Sequence, residues 1–163
     1  MPITSNEGGV KYALDTVYSN EGGVMYEIYN STPKKLTWNV DNSADSAAKI
    51  NSQSADGFTL NYTSTVHSWS HRSIYCNPIK LKAGNTISAV FSNIIGTGSS
   101  KSYALNLFSG DTQIGQIYTV PSGTITVPED GVYFLTLNAH STTGSPTGVT
   151  DYPCSVTVAI SIS

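Results

Sequence analysis

The sequence predicts an all-β chain built as an antiparallel two-sheet β-sandwich, of jelly-roll type, with a plain immunoglobulin-like sandwich as the alternative. Three observations predict it. In the segment from Cys154 to Ile162, Val156, Val158, Ile160 and Ile162 alternate with small or polar residues, the two-residue period of a half-buried strand. The same period returns in roughly nine or ten short segments separated by turn residues at intervals of about ten. No stretch longer than about ten residues carries the 3.6-residue period of a helix.

The elements follow in order. Val24, Tyr26 and Ile28 alternate, and Leu36, Trp38 and Val40 follow beyond Pro33. Residues 41–57 are short and polar; Ala44 to Ile50 could wind into one or two helical turns, and Asp56-Gly57 reads as the turn into Phe58, Leu60 and Tyr62. Residues 73–76 and 79–82 flank Pro78, and Ala83-Gly84-Asn85 leads into Ile87, Ala89 and Phe91. Tyr103, Leu105 and Leu107 are closed by Ser109-Gly110-Asp111. Ile117 to Val120, Ile125 to Val127 and Val132 to Ala139 come next, the last introduced by Glu129-Asp130-Gly131. The stretch from Ser141 to Pro153 is rich in Gly, Ser, Thr and Pro and reads as a loop. The expected core is Trp38, Phe58, Leu60, Phe91, Leu105, Leu107, Phe134, Val156, Val158 and Ile160.

Composition narrows the partners. Eight basic and eleven acidic residues give a formal charge of -3, and Lys34-Lys35 stands alone as a basic pair. Nucleic acid is therefore not an expected partner, because phosphate binding needs clustered cations. Only 12% of the residues are charged, whereas 23 Ser and 19 Thr supply a surface polar through hydroxyls. Ten Tyr against four Phe fit half-buried positions with a wet hydroxyl. Residues 1–20 hold Asn6, Glu7 and Asp15 where a secretory leader needs an apolar run, and no stretch is long and apolar enough for membrane insertion.

The element Ser5-Asn6-Glu7-Gly8-Gly9-Val10-Lys11-Tyr12 returns fourteen residues later as Ser19-Asn20-Glu21-Gly22-Gly23-Val24-Met25-Tyr26. Gly-Gly suits a turn and Val-x-Tyr suits the start of a strand, so one reading is a duplicated turn. The other is an attachment element that lies on a neighbouring subunit, with Asn6, Glu7, Gly8, Gly9, Asn20, Glu21, Gly22 and Gly23 as its residues. The expected organisation is an N-terminal arm over 1–26 and one sandwich over 27–163.

Residues that carry chemistry are sparse. His67 and His71 lie four apart without a third ligand, so no metal is expected there. Trp69, His71, Arg72 and Tyr75 form the best candidate recognition patch, because an aromatic face packs on the apolar side of a sugar ring while His and Arg donate hydrogen bonds. Most carboxylates sit in turns, as in Asp56-Gly57, Gly110-Asp111 and Glu129-Asp130-Gly131, where a turn Asp caps its own backbone. Glu27 lies within a strand but has no partner carboxylate in the pattern. Neither a Gly-x-Ser-x-Gly elbow nor a calcium-loop spacing occurs. No cofactor is implied, and the chain reads as non-enzymatic. Cys76 and Cys154 are the only cysteines. A disulfide between them, stabilising by roughly 4 kcal/mol, and two separate buried thiols are both open readings. Asn30-Ser31-Thr32 and Asn61-Tyr62-Thr63 match the glycosylation pattern.

Phe58-Thr59-Leu60-Asn61-Tyr62-Thr63, Ile79 to Ser88 with its Leu81-Lys82-Ala83-Gly84 turn, Tyr103 to Leu107, and Ile125 to Phe134 with Asp130-Gly131-Val132-Tyr133 stand in an order that resembles the carbohydrate-binding-module-like jelly rolls of tailed-phage structural proteins. The resemblance spans about residues 56–163. It implies a virion surface location and a structural role, as capsid decoration or part of a head or tail appendage, with capsid or other virion proteins as partners; the duplicated N-terminal element adds the expectation of a homo-oligomer. The alternative, which rests on Trp69 with Tyr75 as an aromatic platform, is an extracellular carbohydrate-binding module or lectin-like adhesin that recognises a surface glycan. The resemblance transfers no catalytic or sugar-binding position to this chain.

Overall fold

The computed structural model describes the backbone of residues 4–7, 10–13, 16–21, 24–30, 33, 35–65, 73–145 and 148–163, and the side chains of 33, 35–65, 73–143 and 150–163. The chain divides into two compact units, Met1–Pro33 and Lys34–Ser163.

The first unit holds β1 (Thr4–Glu7), β2 (Val10–Ala13), β3 (Thr16–Glu21) and β4 (Val24–Asn30). β1 and β2 form one antiparallel two-stranded sheet and β3 and β4 another. Glu7 pairs with Val10 and Glu21 with Val24, so each copy of the duplicated element spans a hairpin with only a Gly-Gly pair between the closing residues in sequence.

The second unit contains β5 (Trp38–Val40), β6 (Lys49–Gln53), β7 (Thr59–Ser64), β8 (Ile74–Cys76), β9 (Ile79–Leu81), β10 (Thr86–Gly96), β11 (Ser100–Ser109), β12 (Thr112–Tyr118), β13 (Ser122–Thr126), β14 (Gly131–Ser145), β15 (Gly148–Tyr152) and β16 (Cys154–Ile162). They make an antiparallel two-sheet sandwich. One sheet runs β13-β10-β16-β7-β6; the other runs β12-β11-β14-β8-β5, with β9 and β15 also paired to β14. Among the described residues there is no helix; Asn42 to Ala47 form turns.

Alternation along the strands sets the core. Val156, Val158 and Ile160 of β16, Leu60 and Tyr62 of β7, and Ile87, Ala89 and Phe91 of β10 face Leu105 and Leu107 of β11, Tyr133, Leu135 and Leu137 of β14, Ile74 of β8 and Trp38 of β5 in one cluster. The sheets are tied by ring contact and hydrogen bond as well as by apolar burial. Phe91 and Tyr103 lie with centroids 4.8 Å apart, and the Tyr62 hydroxyl donates to the Asn138 carbonyl at 3.1 Å. At the sandwich edge a Cβ on Gly123 would come within 2.7 Å of Ile117, so the backbone of β13 can approach β12 closely only because glycine stands there.

Three expectations change on this frame, and one open reading closes. Ser141–Pro153 is not a loop, because β14 continues to Ser145 and turns into β15. Residues 44–48 make turns and irregular backbone rather than a helix, and the polar segment Lys49–Gln53 is an edge strand. Phe134 is partly buried against the core from the far side of β14, since Tyr133, Leu135 and Leu137 take the inward positions. Of the two readings left open for the cysteines, the free one holds: Cys76 and Cys154 are unpaired buried thiols. Between β9 and β8 the edge of β14 would leave the Leu135 N–H without a carbonyl, and the Cys76 Sγ accepts it at 3.0 Å.

Candidate functional site

The face of the seven-stranded sheet that turns away from the core carries the candidate site. Because Leu105, Leu107, Leu135, Leu137, Ile74 and Trp38 point inward, the residues between them point outward. Register then lines up Gln116, Asn106, Thr136, Tyr75 and Asn39, one from each of β12, β11, β14, β8 and β5. At about 4.8 Å between neighbouring strands this row is roughly 19 Å long. Gln116 is exposed, and Tyr75 and Asn39 are half-buried.

Asn106, Thr136 and Asn138 are buried although they lie on the outward side. Their polar groups satisfy one another: the Asn106 Nδ2 donates to Thr136 Oγ1 at 3.2 Å and to Asn138 Oδ1 at 3.0 Å. The network reaches solvent through Gln113, whose Nε2 donates to Asn106 Oδ1 at 3.4 Å and to Gln116 Oε1 at 3.0 Å. A buried amide held in this way fixes the rotamers of its exposed neighbours. At the other end of the row Asn39 Nδ2 donates to Asn77 Oδ1 at 2.8 Å.

Aromatic side chains adjoin the polar row, Phe108 buried and Phe134 partly buried. Phe108 and Phe134, directly paired between β11 and β14, stack with centroids 5.4 Å apart and planes 8° from parallel. Phe134, Tyr75, Pro78, Cys76 and Asp41 line an open cavity of about 340 Å³. The Ser43 hydroxyl and backbone N–H both donate to Asp41, which holds its carboxyl below the ordinary range and leaves it ionised at neutral pH. The Asp41 N–H in turn donates to the Ser73 carbonyl at 2.8 Å, joining this turn to the start of β8. Fixed amides, an ionised carboxylate and an aromatic wall can bind a polar ligand by hydrogen bonds and ring packing.

Of the four residues expected to form a recognition patch, Tyr75 lies on this face; Trp69, His71 and Arg72 lie outside the described residues, as does His67. Asn6 and Glu7 are on β1 and Asn20 and Glu21 on β3, while Gly8, Gly9, Gly22 and Gly23 are outside the described residues. Glu27 is on β4, but its side chain is not among those described. Asp56 accepts from Ser54 and from the Phe58 N–H within its own turn, and Asp130 accepts from the Ala83 N–H at 2.8 Å. Among the described residues no three His, Cys, Asp or Glu side chains converge as metal ligands. Asn61, one of the glycosylation-pattern residues, is engaged within the opposite sheet by Asn51, Ser155 and Thr157.

Sequence reasoning missed Asn106, Thr136, Asn138, Gln113 and Gln116 as a group. The available signal was the Leu-Asn-Leu of β11 beside the Leu-Thr-Leu-Asn of β14, two uncharged polar alternations that strand pairing brings side by side. Asp45 was also missed. It is buried and accepts from Ala47, Ser64 and Thr65, so it serves the fold rather than the face.

No protein-family model matches the chain, and no curated protein matches it. Among solved structures, one described as "CBM4 structure and function" aligns over 81% of this chain and 88% of its own length, at 13% identity and a TM-score of 0.43. The periplasmic inhibitor of g-type lysozyme PliG from Aeromonas hydrophila aligns over 78% and 88%, at 15% identity and a TM-score of 0.32. At these scores neither likeness assigns a residue or a role.

Proposed function

We propose that the second unit is a non-enzymatic recognition module that binds a carbohydrate on the outward face of the seven-stranded sheet. The observation that carries this reading is the alignment of Tyr75 with Thr136, Asn106 and Gln116 in one transverse row, beside the Phe108–Phe134 stack. A sugar ring offers an apolar face to an aromatic wall and a rim of hydroxyls to amides, which is the mixture present here. Asn106, Thr136 and Asn138 act as a buried base that holds Gln113 and Gln116 in place, so little side-chain entropy is lost when a ligand is bound. Trp69, His71 and Arg72, close to Tyr75 in sequence, are proposed contributors to the same recognition. A glycan array probed with the whole chain and with Tyr75→Ala tests the reading: binding to a defined set of glycans, lost in the variant, supports it. An array with no signal, or one unchanged by the variant, removes it.

The virion structural role is the second reading, and the duplicated N-terminal hairpins favour it because a repeated two-stranded element suits attachment.

A further inference from the structure

The duplicated element is repeated in structure as well as in sequence. In the first hairpin Ser5 pairs with Tyr12, Asn6 with Lys11 and Glu7 with Val10; in the second Ser19 pairs with Tyr26, Asn20 with Met25 and Glu21 with Val24. Each hairpin is a two-stranded sheet of its own. An isolated two-stranded hairpin is marginal in water, because each strand leaves one edge of N–H and C=O groups unpaired. β4 is the most open to further pairing by its sequence: Val-Met-Tyr-Glu-Ile-Tyr-Asn is seven residues long, four of them (Val24, Tyr26, Ile28 and Tyr29) strong strand formers, with no proline and one charge. Natural edges are usually blunted by lysine, proline or shortness, and this one is not.

We propose that the unit Met1–Pro33 is a self-association arm, in which the β2 and β4 edges of one chain add to the β2 and β4 edges of a second copy of the same chain. The internal repeat argues for a second copy over another occupant, because any edge in one chain meets, in its twin, two edges of matching sequence and register. The inference is independent of the sugar-binding reading. In a hairpin closed by two residues, the pair next to the turn exchanges its hydrogen bonds, so the following pair turns its N–H groups to the open edges. Those pairs are Asn6 with Lys11 and Asn20 with Met25. Proline at Lys11 and Met25 therefore removes edge donors while leaving the hairpins' own bonds in place.

The test is the molar mass of the full chain in solution by light scattering over a range of concentrations. The wild-type chain is expected at a multiple of 17.3 kDa, and the Lys11→Pro/Met25→Pro chain at 17.3 kDa with an unchanged melting temperature for the sandwich. A wild-type mass of one chain throughout, or a variant that assembles like the wild type, overturns the proposal. Hydrogen exchange on the wild type covers the case of a variant that does not fold. The Lys11 and Met25 amides are expected to be protected at high concentration and to lose that protection on dilution; rapid exchange at every concentration contradicts the proposal.

Discussion

The Trp38 indole N–H donates to the Gly57 carbonyl at 2.8 Å inside the sandwich, joining β5 of one sheet to the turn between β6 and β7 of the other. Leu36 reinforces the clamp by donating its N–H to the Asp56 carbonyl at 2.8 Å. Gly57 has φ +76°, and a Cβ there would sit 1.9 Å from the Leu36 carbonyl oxygen. Both the turn conformation and the close approach require glycine. Gly57→Ala should therefore cost more than about 3 kcal/mol in urea unfolding, since strain and steric overlap add. Trp38→Phe should cost about 1–3 kcal/mol for the unsatisfied carbonyl. A Gly57→Ala chain as stable as wild type would contradict this account of the turn.

Asp45 gives the sandwich an acid-sensitive joint. Burial disfavours its charge, but donors from Thr65, Ser64 and Ala47 outweigh that and hold its carboxyl below the ordinary value. A carboxylate lowered by folding stabilises at pH above its unfolded value, and the contribution disappears as pH falls through the folded value. Urea midpoints followed from pH 6 down to about 2.5 should drop below roughly pH 4, the ordinary carboxylate range. Asp45→Asn should show a shallower drop. Equal slopes for the two chains would rule out this role.

The thiols should be inert in the native state. Burial pushes the Cys76 thiol up to about 11, despite the Leu135 N–H that it accepts, and raises Cys154 as well. At pH 8 neither has much thiolate to react. Ellman's reagent should find no fast thiol in the folded chain and two after denaturation. Two missing thiols in denaturant would mean a disulfide instead. Cys76→Ala should cost about 1–3 kcal/mol, because the buried Leu135 N–H loses its acceptor.

The buried amide network should be a joint requirement of fold and face. Asn106→Ala leaves Thr136 Oγ1 and Asn138 Oδ1 each short of one donor and should lower stability by about 1–3 kcal/mol. Gln116→Ala, at an exposed position, should leave thermal stability within about 0.5 kcal/mol. A neutral Asn106→Ala would mean that the network is dispensable.

Strands that bury one face and wet the other were legible in the sequence. Val156, Val158 and Ile160 alternate cleanly with polar residues, and all three are in the core. Val132 to Leu137 was harder, because Val-Tyr-Phe-Leu offers no polar residue to fix the phase, and Phe134 was placed inward where Tyr133 and Leu135 belong. Lys49–Gln53 escaped notice since an edge strand with little buried surface has almost no apolar signature. The candidate face escaped for a related reason: Asn106 and Asn138 read as ordinary outward positions, and only pairing between β11 and β14 brings their amides together. Tyr75 is legible because an aromatic residue near His71 and Arg72 suggests recognition; its row partners lie far away in sequence.

The most direct measurement is a side-chain amide NMR titration of the whole chain with a glycan that scores on the array. Gln113, Gln116 and Asn39 report the proposed face, and Asn51 and Asn61 report the opposite sheet. Shifts confined to Gln113, Gln116, Asn39 and the Tyr75 ring are the expected result. Shifts at Asn51 and Asn61 with the first group unmoved would contradict the account.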